Sequence, residues 1–476
     1  MTCFRRFLAA IVAVGPIMLP CSEPVLGVDE PNKLTAPGPN IETRLLSGIH
    51  QVTFAGKRSG EGYFSADGSQ MIFQSEREPD NPFYQIYLMD LQSAKTQRIS
   101  PGVGKTTCAW IHPHDNKVLF ASTHEDPQAV MKQREALDRR SSGQKQRYAW
   151  SFDEHFDIYE ADIGGKEFKN LTHTLGYDAE GSWSPDGQWV VFASNRPAYR
   201  SNLSPQLEER FQADKSYFME LYLMNTDGTQ VRRLTHAPGY DGGPFFSADG
   251  EKIVWRRFSE DGAQAEIWTM NMDGSEKKQV TDLGALSWAP YFHPSGDYII
   301  FSSNYQHGPR NFELYLVDAK GQGEPVQVTH SRGFDGLPVF TPGGSRLSWT
   351  SARTPGQEPQ IFMAKWNDKE ARRLLHLNAA DATAGPQVHA HPSDTVQTQQ
   401  AIHADDLRLH VSYLADARLE GRLTGTTGER LATVYVASEF ESLGLERART
   451  EGSFLLRGDR YWSPKAHRRC QRWTSG

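Results

Sequence analysis

Cysteine is scarce: the 476 residues hold four. Cys3 and Cys21 lie in an apolar leader, while Cys108 and Cys470 stand far apart in unlike surroundings, so no structural disulfide is expected. Long apolar runs are missing as well. The most apolar stretch, "LAAIVAVGPIMLP", is too short and too proline-broken for the ~20 residues of a membrane-spanning helix. Neither sign of charge dominates: 51 Lys and Arg stand against 58 Asp and Glu, and the net charge of −7 disfavours nucleic acid as a partner. The Gly-x-Ser-x-Gly elbow of serine hydrolases does not occur. Low-complexity blocks are absent too, because the 27 prolines and 41 glycines are scattered as punctuation, a pattern that suits many short strands joined by turns.

The first residues read as an address. Arg5 and Arg6 precede the apolar core, and "VLG" before Val28 is an acceptable small-residue cleavage site. Export to the periplasm or medium is expected. A lipid anchor on Cys21 is the weaker alternative, since Pro20 is a poor neighbour for that processing.

A repeat organises the middle of the chain. Copies start at Gly62 ("GYFSADGSQMIFQSE"), Ala109 ("AWIHPHDNKVLFAST"), Gly181 ("GSWSPDGQWVVFASN"), Pro244 ("PFFSADGEKIVWRRF"), Pro290 ("PYFHPSGDYIIFSSN") and Pro338 ("PVFTPGGSRLSWTSA"). Each has an apolar start, a tight turn of the Ser-Pro-Asp-Gly kind, and an apolar strand. A third strand follows, as in "YQIYLMD" or "FELYLVD", and then a fourth, ending in "RIS", "NLT" or "RLT". Four short strands recurring every ~45 residues is the pattern of a propeller blade. The predicted fold is therefore all-β, a six-bladed β-propeller over 44–376, with a short helical segment after it. Two long polar gaps, after the second and third copies, read as insertions between the second and third strands.

These repeats resemble the TolB family of six-bladed propellers. The resemblance implies a platform that binds peptide or protein, and it says little of chemistry, because such platforms serve unrelated proteins.

Several patterns invite a sharper function. "GVGKTT" lacks the first glycine of a phosphate-binding loop and falls between two strands of the repeat. "GYDAE", "GYDGG" and "GFDGL" place Asp178, Asp241 and Asp335 just before a copy, with Glu61 and Glu180 nearby. These five are the candidate binding residues: a carboxylate rim at a channel mouth that would hold a cationic segment or a metal ion. The plainer expectation for the aspartates is that each accepts backbone N–H groups and ties its loop to the next blade. His389, His391 and His403 have metal-like spacing but sit in or beside a polar linker.

The last expectation concerns "YLADARLEGRLTGTTGERLATVYVASEFESLGL", a helix, a glycine-rich turn and a second helix with Leu431, Tyr435, Phe440 and Leu443 on one face. It resembles the lead of bacterial di-zinc aminopeptidases, the family of aminopeptidase Y and glutamate carboxypeptidase II. That family's zinc ligands, among them a His-x-Asp, a bridging Asp and a Glu-Glu pair, follow the lead, and after Leu445 there is no His-x-Asp and no Glu-Glu. The expected organisation is thus a signal peptide (1–27), a linker (28–43), the propeller (44–376), a second linker (377–401), an incomplete aminopeptidase lead (402–456) and a basic tail (457–476). No cofactor is expected for this chain, zinc belonging to the catalytic domain alone. A separately encoded peptidase domain is a further implied partner.

Overall fold

The computed structural model describes residues 41–142, 152–200 and 202–377. The turn of each copy is built by side chains. Ser65 donates its hydroxyl to Asp67 at 2.6 Å, Asp67 accepts from the Ser69 N–H at 3.0 Å, and Gly68 takes the left-handed φ of +70° that closes the turn. Where a copy has His in place of Ser, the ring replaces the hydroxyl: His112 Nδ1 accepts from the Asp115 N–H at 2.9 Å.

The strand after the turn is covered on both faces by neighbouring sheets, which is why it reads as a continuous apolar run. The twelfth residue of every copy is aromatic (Phe73, Phe120, Phe192, Trp255, Phe301 and Trp349), and all are at most 1% exposed. Burying one such ring is worth roughly 1.5–3 kcal/mol, so this column is a main source of stability.

Strands pair antiparallel in chain order, as in Arg58–Phe64, Gln70–Glu76, Gln85–Asp90 and Thr96–Arg98. Among the described residues there are four such four-stranded sheets and one of eight strands. The eight-stranded sheet is two antiparallel sets, beginning at Asp178 and Gly239, joined by the parallel pairs Phe218↔Gly239 and Met219↔Tyr240. The first strands, beginning at Arg58, Thr106, Asp178, Gly239, Ser287 and Asp335, contact one another in a closed cycle. The fold is a β-propeller.

The ring closes through its ends. Leu46–Gln51 pairs antiparallel with Gln360–Trp366 and so completes the last sheet. "IHQVT" and "ARRLLH" both read as outer strands in the sequence, but only the first overlaps one. The second lies in a helix, because Asn367 caps it by accepting from the Glu370 N–H, with Asp368 and Glu370 in its first turn.

The helices are α1 (Ile41–Leu45), α2 (Ala129–Ser141), α3 (Pro197–Arg200), α4 (Pro205–Ala213) and α5 (Asp368–Leu374). Helices α2, α3 and α4 occupy the two long gaps, between second and third strands as expected. Helix α1 docks on α5: the Asn367 N–H donates to the Leu45 carbonyl at 3.0 Å, and Arg44 pairs with Glu370. The stretches expected to form the leader and the two C-terminal helices, and His389, His391 and His403, lie outside the described residues.

Candidate functional site

Every first strand carries a β-bulge. Its register with the second strand slips between Gly60 and Tyr63, Thr107 and Trp110, Ala179 and Ser182, Gly242 and Phe245, Trp288 and Tyr291, and Gly336 and Val339. One residue of each bulge is left-handed: Glu61, Cys108, Glu180, Gly243, Ala289 and Leu337, with φ between 50° and 60°. Five are not glycine, and each costs of order 1–3 kcal/mol in that conformation. The bulge turns these side chains towards the propeller axis, and all six residues line one cavity of about 1290 Å³.

Two residues further on, the chain supplies the floor. Tyr63 and Trp110 have ring centroids 4.8 Å apart, Tyr63 and Phe245 5.6 Å, and Trp110 and Phe245 5.5 Å. Tyr291 packs edge-on against Phe245 at 5.5 Å. These rings come from four different first strands and meet across the axis, so the cavity is blind at that depth.

The wall is electrostatically uneven. Glu180 is fully engaged: it accepts from Tyr240 Oη at 2.5 Å, the Gly243 N–H at 2.6 Å, and Arg256 Nη2 at 2.9 Å. Arg256 also stacks over the Tyr240 ring at 4.7 Å. Two glycines make room for this set. A Cβ at Gly242 would lie 2.6 Å from Glu180 Oε2, and one at Gly243 would collide with Arg256. Glu61 is different. Its Oε1 accepts from Gln74 Nε2 at 3.1 Å, and Gln74 accepts in turn from Thr107 at 3.0 Å. Its Oε2 is buried with no hydrogen-bond partner. Burial raises the Glu61 carboxyl to about 7; weak hydrogen bonding from the Cys108 thiol, the Arg256 charge and the Gln74 amide oppose the shift, and the Glu180 charge adds to it. Burial and the adjacent Glu61 also push the Cys108 thiol well up, so it is an inert thiol rather than a nucleophile.

The rim is not the one expected from the aspartates. Asp178, Asp241 and Asp335 are at most 2% exposed and do not line the cavity. Each is held by an arginine: Asp178 by Arg196 at 2.6 Å, Asp241 by both Nε and Nη2 of Arg257 at 2.6 Å, and Asp335 by Arg353 at 2.6 Å. Asp241 and Asp335 also accept from the buried indoles of Trp255 and Trp349. Each of these buried carboxylates is thus tied down by an ion pair to an arginine on, or just after, the strand paired with its own, not by a set of backbone N–H contacts. Of the five candidates, only Glu61 and Glu180 come together on the cavity wall.

One side of the mouth is formed by α2. Lys132 reaches Asp126 at 2.8 Å and Asp153 at 2.9 Å, and Arg140 pairs with Glu76 and donates to the Pro82 carbonyl at 2.7 Å. Lys57, Lys105 and Arg139 border the same opening, so the mouth is mixed in charge rather than acidic. Among the described residues, no group of three or more His, Cys, Asp or Glu is placed to hold a metal ion.

Sequence reasoning missed Cys108, Gln74, Arg256 and the aromatic floor. A signal for part of this existed. The ring is the residue immediately before each quoted copy, exposed by extending the alignment one column, and the floor rings are the second residue of the first, second, fourth and fifth copies, Ser182 and Val339 standing there in the other two.

No family model matches the chain. The protein Atu1656 of Agrobacterium fabrum is 32% identical over 119 residues, covering 25% of this chain and 34% of that protein. YuxL of Bacillus subtilis, named as an uncharacterized peptidase, is 31% identical over 104 residues, covering 22% of this chain and 13% of that protein. Both matches therefore span well under two thirds of these relatives. Among solved structures, TolB from Agrobacterium tumefaciens aligns over 67% of this chain and 97% of that one, at 20% identity and a TM-score of 0.45. TolB from Acinetobacter baumannii aligns over 65% and 64%, at 16% identity and a TM-score of 0.42.

Proposed function

We propose that the protein is an exported binding module with a six-bladed TolB-like propeller, taking a segment of peptide or protein into its axial cavity and doing no chemistry on it. The observation that carries this reading is the blind cavity itself. Its wall and floor are successive columns of one repeat, its volume of about 1290 Å³ exceeds the ~300–1,000 Å³ of ordinary small-molecule sites, and its floor is aromatic. Six blades are supported by six repeat copies and by the closed cycle of first strands, counting the halves of the eight-stranded sheet separately. Export is supported by the leader, with Arg5 and Arg6 before an apolar core.

The test is to fill the cavity. Ala289 already holds the left-handed conformation, so Ala289→Trp adds volume without a new backbone demand. A defined pool of free-ended peptides should bind the full chain and not this variant, with melting temperatures alike. Equal binding by both would move the site elsewhere.

A second reading has its own support in the stretch from Leu419 to Leu445. The chain would then be one part of a zinc aminopeptidase whose catalytic domain is encoded separately or lost by frameshift. Translating the DNA downstream in all three frames, in search of His-x-Asp and Glu-Glu, decides it. Neither reading gives this chain a zinc site of its own. With added zinc it should turn over no aminoacyl or dipeptide substrate, and chelator-sensitive turnover would refute that.

A further inference from the structure

We infer that the axial cavity recognises its ligand by a primary ammonium group, the amino terminus or a lysine side chain of a peptide, held by Glu61 over the aromatic floor. The inference rests on the binding-module reading and names what that module selects.

Three observations converge. Glu61 Oε2 is buried without a partner, whereas the other ring carboxylate, Glu180, is consumed by Arg256, Tyr240 and the Gly243 N–H. An unsatisfied buried oxygen in a native site calls for an explanation, and a donor brought by a ligand supplies one. The floor beside it is made of Tyr63, Trp110 and Phe245, whose ring faces attract cations. Finally, Glu61 stands in the left-handed region, a strained placement that points its side chain to the axis. Oε2 is shut off from solvent, but Glu61 as a whole is partly exposed and borders open volume, so its side chain has room to bring the carboxyl group to a ligand.

Proton linkage gives the inference a signature. The groups that act on Glu61 are the Cys108 thiol, the Glu180 and Arg256 charges, and the Gln74 amide, with the Tyr63 phenol nearby on its own strand. Together with burial they leave the carboxyl neutral below about pH 7. An ammonium ion needs the carboxylate, so binding should release a proton and strengthen as pH rises through that value. It should weaken again when the ligand amine loses its proton, near pH ~8 for an α-amino group and near pH ~10.4 for a lysine side chain.

The experiment is calorimetric titration of the full chain with three tetrapeptide amides: Phe-Ala-Ala-Ala with a free amino terminus, its N-acetyl form, and N-acetyl-Lys-Ala-Ala-Ala. At least one amine-bearing peptide should bind roughly tenfold or more tighter than the N-acetyl-Phe peptide, a difference of about 1.4 kcal/mol. The position of the alkaline limb tells the α-amino source from the lysine source. Glu61→Gln should remove this preference and the acid limb while melting no lower than wild type. Leu175→Ala, an exposed change away from the cavity, should retain both. Equal binding of acetylated and free peptides, or an unchanged preference in Glu61→Gln, overturns the ammonium inference and leaves the binding module standing. Failure of all three peptides to bind overturns both.

Discussion

At the scale of single residues, what matters is how each buried charge is matched. Asp335 is 0% exposed and shares Arg353 with Glu42 of α1. Arg353→Ala would take the shared cation from both carboxylates, leaving Asp335 only its Ser331 and Trp349 donors and Glu42 the His330 N–H among its neutral ones. Breaking a buried pair from one side costs about 3–5 kcal/mol, so chemical denaturation should show a loss of that size; a change below about 1 kcal/mol would mean the pair is effectively solvated. Glu61 makes the opposite case. Its folded-state carboxyl is raised to about 7 from 4.5, so its stability contribution is complete below 4.5 and is lost as pH climbs to about 7. The Glu61→Gln variant has no such loss. Its melting temperature should therefore gain on wild type between about pH 5 and about pH 8. A constant gap across that range would place the carboxyl in an ordinary, solvated setting.

At the scale of elements, the closing strand Leu46–Gln51 joins the two ends of the ring. It covers the edge of Gln360–Trp366, which would otherwise present unpaired N–H and C=O groups. Leu46 is 3% exposed and packs with Trp349, Phe362 and Trp366 in one cluster. Leu46→Ala should cost about 2–5 kcal/mol, the range for a large-to-small change in a core that collapses only partly. The same change at exposed Leu175 should be nearly silent. Equal effects at both positions would show that the closing strand is not held in the ring. Helix α2 differs in kind. It is pinned by polar anchors, Lys132 to Asp153 and Arg140 to Glu76, while its own buried residues are the small Ala129 and Ala136.

At the scale of the molecule, the described propeller is closed by its own two ends, through strand pairing and through the contacts of α1 with α5. Residues 41–377 alone should then unfold in one cooperative transition, near the full-length temperature, in scanning calorimetry. A broad or multi-step transition would show that the ring depends on chain beyond Leu377.

Fold and site were legible to different depths. The repeat column of buried aromatics, the turn chemistry and the placement of the insertions are local or periodic, so the sequence alone determined the propeller and the order of strands within each unit. Glu61 and Glu180 were legible as candidates because each immediately precedes a repeat copy, the first and the third. Which carboxylates are free was not legible. Asp241 and Arg257, or Glu180 and Arg256, are 16 and 76 residues apart, and a sequence carries no sign that one pair closes between paired strands and the other between neighbouring sets of strands. Only the tertiary structure decided that three aspartates are spent on arginines while, on the cavity wall, an oxygen of Glu61 is left unmatched. The aromatic floor was decided the same way, since four rings from four strands meet only when the ring is closed. The strand at residues 46–51 and the helix at 368–374 also needed that closure, because a strand of either end could have covered the open edge, and Asn367 settled it by capping a helix.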